Sequence, residues 1–211
     1  MGDICALLLA AGKSSRMGEL KALLPWQGRT LLEHQLEVLK EVGITQVIVV
    51  LGYQADRLEN LVHNSGEAHV VLNPDHLEGK TTSIKSGLNG LITPVDDILV
   101  LAVDQPRSVM TLRTILRKHQ MSQVDITIPT YKGKGGHPVV FSNKLLPELL
   151  GISEKTMGLK AVVRRHSKDV LRMEMVSSEV LLDLNSRADY DHVTSELCNQ
   201  KIMHKGGSCK R

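Results

Sequence analysis

The sequence predicts a three-layer α/β/α, Rossmann-like domain built on a mainly parallel mixed sheet. Three observations carry that expectation. Short apolar, β-branched runs alternate with amphipathic stretches, no segment repeats, and 211 residues suit one domain with a sizeable core. Two strand-like runs near residues 125–141 follow each other without a helix between them, which adds an inserted hairpin or mixed edge to the parallel plan.

Residues 3–9 (DICALLL) read as a first buried strand, with Cys5 as a small core residue. From Thr30 to Val42, the residues Leu31, Leu32, Leu36, Leu39 and Val42 share one helical face. Thr30 caps that helix, Glu33 completes a capping box, and Gly43 ends it. QVIVVLG (46–52) is a second strand and a helix follows near 54–63. HVVLN (69–73) is a third strand, and TTSIKSGLNGL (81–91) a helix. DILVLAVD (97–104) is a fourth strand ending on a carboxylate, with a helix over 109–121 after it. DITIPT (125–130) and HPVVF (137–141) are strands flanking the glycine-rich YKGKGG. VLRMEMV (170–176) and EVLLDLN (179–185) form a late strand pair or a strand and turn. A final helix is expected over 186–196, so the domain spans 1–196 and a loose basic tail occupies 197–211.

Composition narrows the function. Aromatic residues make up only 2% of the chain, so Leu, Val, Ile and Ala must build the core, and the stacking platforms of single-strand nucleic-acid binders are missing. A formal charge of +3 is too mild for a nucleic-acid or membrane partner. The nine histidines form no H-E-x-x-H or paired Cys/His spacing, which leaves a structural zinc site without support. No run reaches transmembrane length, and the start lacks a basic segment followed by a signal-length apolar stretch, so the expected location is cytoplasmic.

Doubly wound sheets bind ligands outside the carboxyl ends of their strands, which assigns the loop after the first strand, Asp104 and the segment after Asn73 to one edge. That first loop, LAAGKSSRMGELK (9–21), is neither of two familiar phosphate binders. Five residues separate Gly12 from Gly18 and Glu19 follows, which fails the Walker A spacing, and no G-x-G-x-x-G is present. Its chemistry still suits an anion: glycine lets backbone N–H groups face a ligand, Ser14 and Ser15 can donate, Arg16 offers a planar fork, and Lys21 a mobile charge. From composition alone the loop is either a solvated turn or a phosphate cradle.

The pattern LAAG-x-S-x-RMG-x-x-K over 9–21 resembles the signature of nucleotidyltransferases related to molybdenum cofactor cytidylyltransferase, in the MobA-like NTP transferase superfamily. The resemblance continues in NPDHLEGKTTSIKSGL (73–88), LAVDQP (101–106), GGHPVVF (135–141) and DLNSRADY (183–190), five motifs in the family's order. It implies a nucleotidyltransferase fold and attack by a terminal phosphate on the α-phosphate of a nucleoside triphosphate, with release of pyrophosphate. Carried over position by position, it implies catalytic roles for Arg16, Lys21 and Asp104. Nucleotide binding falls to Leu9, Ala10, Ala11, Gly12, Lys21, Asn73, Gly79 and Ser83, and acceptor binding to His137 and Pro138. Magnesium (Mg2+) falls to Asp104 and Asp183. Leu-Ala-Ala-Gly, with Ala11, resembles the CTP-using branch, and the implied acceptor is molybdopterin, with a molybdenum hydroxylase or its maturation chaperone downstream.

Read as residues alone, several of these positions have a second role. Asp104 is also placed to cap the next helix, Asp183 to end a strand, Ser83 to cap a helix, and Asn73 and Gly79 to make turns. Asp96 and Asp97 precede their strand and read as turn residues at the opposite end. The segment KTMGLK (155–160) departs from the family's Gly-Asp-x-Gly-Ala-Arg, with Thr156 in the acidic position, which bears on the acceptor. Three other functions stay open: guanylyl transfer from GTP, cytidylyl transfer to another phosphorylated small molecule, and a non-catalytic nucleotide-binding chaperone.

Overall fold

In the computed structural model the described residues are 2–14, 17–66 and 68–205, with backbone only for 199–205. The first apolar run becomes β1, Ile4–Ala10, buried at every position. Its alternate residues serve two cores. Ile4, Ala6, Leu8 and Ala10 pack on one side, and Cys5, Leu7 and Leu9 on the other. A strand with apolar residues on both faces must be covered on both faces, which makes the three layers.

Two two-residue strands follow, β2 (Pro25–Trp26) and β3 (Arg29–Thr30), too short for any periodicity to show. They pair antiparallel as a small separate sheet. Helix α1, Leu31–Val42, begins on the expected capping box: Thr30 Oγ1 accepts from Glu33 N at 3.2 Å, and Glu33 Oε2 accepts from Thr30 N at 2.8 Å. Gly43 closes it in the left-handed region at φ 89°.

Then come β4 (Gln46–Leu51), α2 (Asp56–Asn64), β5 (Ala68–Leu72) and α3 (Lys80–Asn89). Next are β6 (Asp97–Ala102), α4 (Val109–Ser122), β7 (Ile126–Tyr131), β8 (Lys134–Gly135) and β9 (Val139–Ser142). The chain ends with α5 (Leu146–Leu150), α6 (Leu159–Arg165), β10 (Val170–Glu174) and α7 (Arg187–Lys205).

The main sheet runs β10-β7-β9-β6-β1-β4-β5, with β8 paired to β7. Neighbours pair parallel except β9, which is antiparallel to both β6 and β7, and β8, which is antiparallel to β7. The mixed edge is therefore the β7–β8–β9 insertion. One face is covered by α1, α2 and α4, through residues such as Leu36, Leu58 and Leu116, with Tyr190 of α7 in the same core. The other is covered by α3, α5 and α6, through Ile84, Leu149 and Val162. Each such fully buried side chain contributes about 1.5–3 kcal/mol of transfer free energy.

The structure resolves one alternative, corrects one boundary and adds two short helices. Of the two readings of 170–185 the strand and turn holds and the strand pair does not: Ser178–Leu181 is a 3-10 helix after β10, and the carbonyls of Val180 and Leu182 are taken by the Arg107 side chain instead of a ladder. The final helix does not stop at 196 but continues to Lys205, so the helix includes part of the expected tail, whose residues 206–211 lie outside the described residues. Helices α5 and α6, of five and seven residues, have too few turns to leave a periodic signature. No helix among the described residues is long and apolar enough to cross a membrane.

Candidate active site

Strand β1 is the switch point of the sheet. The chain leaves it for β4 and β5 on one side, then returns to β6 on its other side, opening a crevice at the carboxyl ends of β1 and β6. Ladder register sets the mouth: Leu9 pairs with Ala102, and Val103 N still donates to Leu9 O at 3.0 Å. Asp104 then stands in the turn that follows. Gln105 fixes this turn, its Oε1 accepting from Ala102 N at 3.1 Å while its carbonyl accepts from Gln35 Nε2 at 3.0 Å.

The loop leaving β1 folds back toward Asp104. Ser14 adopts φ 53°, its carbonyl accepts from Met17 N at 2.9 Å, and its hydroxyl accepts from Lys21 N at 3.2 Å. Burial of Met17 and Leu20 anchors the return. Lys21 Nζ then meets Asp104 Oδ2 at 2.6 Å and Asn185 Oδ1 at 3.4 Å. The two side chains of the ion pair are 14% and 18% exposed, so it is shielded from water yet reachable by a ligand.

Asp183 joins from the far side. Leu184, which is buried, donates its N–H to Asp104 O at 2.9 Å and so hangs the 183–185 segment beside the turn. Burial raises the half-buried Asp183 carboxyl above its usual range, and the negative charge of Asp104 adds to it. The Asn185 hydrogen bond and the charges of Lys21 and Lys80 pull the other way. A carboxyl whose proton affinity is raised by burial and by a neighbouring carboxylate is a seat that favours a cation.

The third wall is the start of α3. Gly79 sits at φ 121°, and a Cβ there would lie 2.5 Å from Glu154 Cγ. Glu154 Oε1 accepts from Thr81 N at 2.8 Å, so a carboxylate from the 153–160 segment caps α3 across the fold. Thr156, in the position where an acid was looked for, caps its own 3-10 turn with Ser153; the acidic side chain of this segment that reaches the site is Glu154.

These walls enclose a cavity of about 420 Å3, a small-molecule size. Of the residues singled out in the sequence, Leu9, Ala10, Ala11, Gly12, Lys21, Gly79, Ser83, Asp104 and Asp183 line it. Asn73 stands behind the wall: its Nδ2 donates to Ser83 Oγ and Thr82 Oγ1, both at 2.9 Å, and its Oδ1 accepts from Asp75 N at 3.1 Å. His137 and Pro138 are not among the lining residues. His137 is near enough to feel the site, because burial first, then the positive charges of Lys80 and Arg107, push its imidazole down to about 4 against the opposing pull of Asp104. It is neutral at physiological pH. Arg16 lies outside the described residues.

Three lining or supporting residues were missed. Lys80 and His76 line the cavity from within the quoted 73–88 stretch, where a cation beside Gly79 was the available signal. Arg107 follows LAVDQP by one residue and is 1% exposed, its guanidinium held among backbone carbonyls. Burial lowers its pKa to about 10, opposed by Glu179, Asp183 and Asp104. At the opposite end of the sheet, Asp97 is more than a turn residue, since it opens β6 and meets His119 Nε2 at 3.1 Å.

Asp104 and Asp183, with Asn185 beside them, offer the hard oxygen donors that magnesium or manganese takes. A second His/Asp grouping, Asp125, His166 and Asp169, lies at the amino ends of β7 and β10 and has no part in this cavity.

Residues 6–170 match the family model of the MobA-like NTP transferase domain. The molybdenum cofactor cytidylyltransferase of Escherichia coli K12 is 26% identical over 90% of this chain and 95% of its own length. A protein of Paenarthrobacter nicotinovorans named nicotine blue oxidoreductase is 32% identical over 78% of this chain and 86% of its own. The crystal structure of Rv0371c from Mycobacterium tuberculosis H37Rv in complex with manganese superposes with a TM-score of 0.73 at 26% identity, covering 92% of this chain and 98% of that one.

Proposed function

The chain belongs to the MobA-like NTP transferase family, and from that membership we propose that it moves a cytidylyl group from CTP to the terminal phosphate of a molybdopterin-type acceptor. A nucleotidyltransferase is what the family supports; CTP, molybdopterin and magnesium are the finer reading. The observation that carries it is the Lys21–Asp104 pair at 2.6 Å, with Asp183 alongside, at the switch point of the sheet.

In this reading an acceptor phosphate oxygen forms the new bond to the α-phosphorus of CTP while the bond to the bridging oxygen breaks, and pyrophosphate leaves with that electron pair. A phosphate oxygen is already ionised near neutral pH, so the step needs no general base. Of the two histidines near the site, His76 lines the cavity with its Nδ1 against the Asn73 carbonyl at 3.2 Å, and His137, which is neutral, lies outside the lining. The 9–12 segment and Ser83 line the space for base and ribose, with Gly79 leaving room for close approach. Lys21 and Lys80 face the phosphates, where positioned cations stabilise charge that grows in the transition state. Arg16 is proposed to join them. Asp104 and Asp183 would hold magnesium, which when bound neutralises phosphate charge. His137 and Pro138 stand on the side proposed for the acceptor, and Ala11 is the residue behind the choice of CTP over GTP.

The same reading places the protein in the cytoplasm, delivering its product to a molybdenum hydroxylase or that enzyme's maturation chaperone. The relative named for an oxidoreductase raises a second chemistry, but paired carboxylates around a lysine suit phosphate and metal better than hydride transfer. Pyrophosphate release by the purified protein, with magnesium, CTP or GTP, and molybdenum-loaded molybdopterin, decides among them. CTP-selective release with a cytosine dinucleotide product is expected. GTP preference would move it to guanylyl transfer, and nucleotide binding without release would make it a binding protein.

A further inference from the structure

We infer that Arg107 is the positioning residue for the far wall of this site, setting where Asp183 and His137 stand relative to Asp104; the inference rests on the nucleotidyl-transfer reading. Each of the three side-chain nitrogens donates to main-chain carbonyls. Nε donates to His137 O at 2.9 Å and Nη1 to Pro106 O at 2.8 Å. Nη2 donates to both Val180 O and Leu182 O at 3.0 Å. Two segments distant in sequence, at 137 and at 180–182, are thereby tied to one planar group located three residues after Asp104.

The surrounding contacts leave little room for adjustment. Val180 O also accepts from His137 N at 2.8 Å, and a Cβ added at Gly136 would lie 2.3 Å from that same oxygen. Leu184 N is meanwhile bonded to Asp104 O, so the 180–184 segment is held at both ends and Asp183 lies between.

A purely structural residue at a position 1% exposed would be better apolar, because a buried cation without a contacting carboxylate carries a large desolvation cost. No ion pair reaches Arg107 within contact distance among the described residues. A guanidinium does what no apolar side chain can: its rigid fork fixes several carbonyls in one plane. It also brings a positive charge toward Asp104 and Asp183, both of which act on it electrostatically. None of its bonds reaches the 9–21 loop or the 73–83 segment, so the nucleotide wall is independent of it.

Arg107→Lys tests this, because it retains charge and length but loses the fork. Hydrogen exchange, which needs no turnover, is expected to quicken about tenfold or more at 180–184 while β1 stays protected. In the transfer assay KM for molybdopterin should rise about tenfold or more, and by a larger factor than KM for CTP, since small misplacements of reacting groups cost that much or more. Arg107→Met, if folded, should raise KM for molybdopterin and lose the exchange protection at 180–184 together. Unchanged exchange at 180–184 would overturn the clamp. Faster exchange with both KM values moved equally, or neither moved, would overturn the positioning role. A wild-type protein that binds CTP but transfers nothing would defeat the transferase reading, while the exchange result would still decide the clamp.

Discussion

The two walls of the cavity are built by different means. The near wall, made by 9–21 and 73–83, grows directly out of β1 and β5 and is held by strand ladder, local turns and the cap of α3. The far wall, made by Asp183 and Asn185 with His137 behind it, has no ladder of its own and depends on carbonyls drawn to one buried guanidinium. The difference teaches that backbone-built binding surfaces tolerate side-chain change, whereas a surface hung on one side chain stands or falls with it.

Asp104 is the joint between the walls, so its loss should do most damage. Asp104→Ala is expected to lower transfer by roughly 10²–10⁴-fold with the fold intact, read by steady-state kinetics and circular dichroism. Near-normal magnesium-dependent turnover would remove the joint from the comparison. Asp183→Asn should separate stability from activity. It removes a half-buried charge whose proton affinity is raised by burial and by Asp104, so the melting temperature at neutral pH should rise while metal-dependent transfer falls. A lower melting temperature would mean that the ionised carboxylate helps hold the far wall.

His137 gives the far wall a pH signature. Its folded pKa of about 4 is below the ordinary 6.5, so the folded protein binds fewer protons than the unfolded chain between those values. The resulting stability is present above about pH 6.5 and is lost as pH falls toward 4. Denaturant titrations of His137→Gln should show a flatter profile over that window, and an unchanged profile would place the acid sensitivity elsewhere. Smallest is a control outside both walls: Thr30→Ala breaks the α1 capping box and should cost about 1 kcal/mol of stability without moving either KM.

Legibility followed the same division. Lys21 was legible through the family pattern over 9–21, while Leu9 to Gly12 and Asp104 could be placed because each lies within two residues of a strand's carboxyl end, where alternation and turn chemistry speak locally. Thr30 and Glu33 announced α1 for the same reason. Arg107 could not be read, since nothing local distinguishes a buried arginine from a solvated one. Its hold on the Val180 and Leu182 carbonyls also decides between the strand and the turn that the apolar run 179–185 left open. Glu154 was hidden likewise, because its partner, Thr81, is 73 residues away.

The central place of β1 also bears on how the chain reaches this state. Its partner β4 arrives after some forty residues, but β6 only after more than ninety, with Leu9 set against Ala102. Distant parallel pairing closes a long loop before any contact rewards it, so it is slow. Pulse-labelled hydrogen exchange during refolding is expected to protect β4 before β6, and the reverse order would contradict this. Until β6 docks, Lys21 has no carboxylate to meet and Asp104 no neighbour to repel: the nascent protein acquires its chemistry in the same event that completes its sheet.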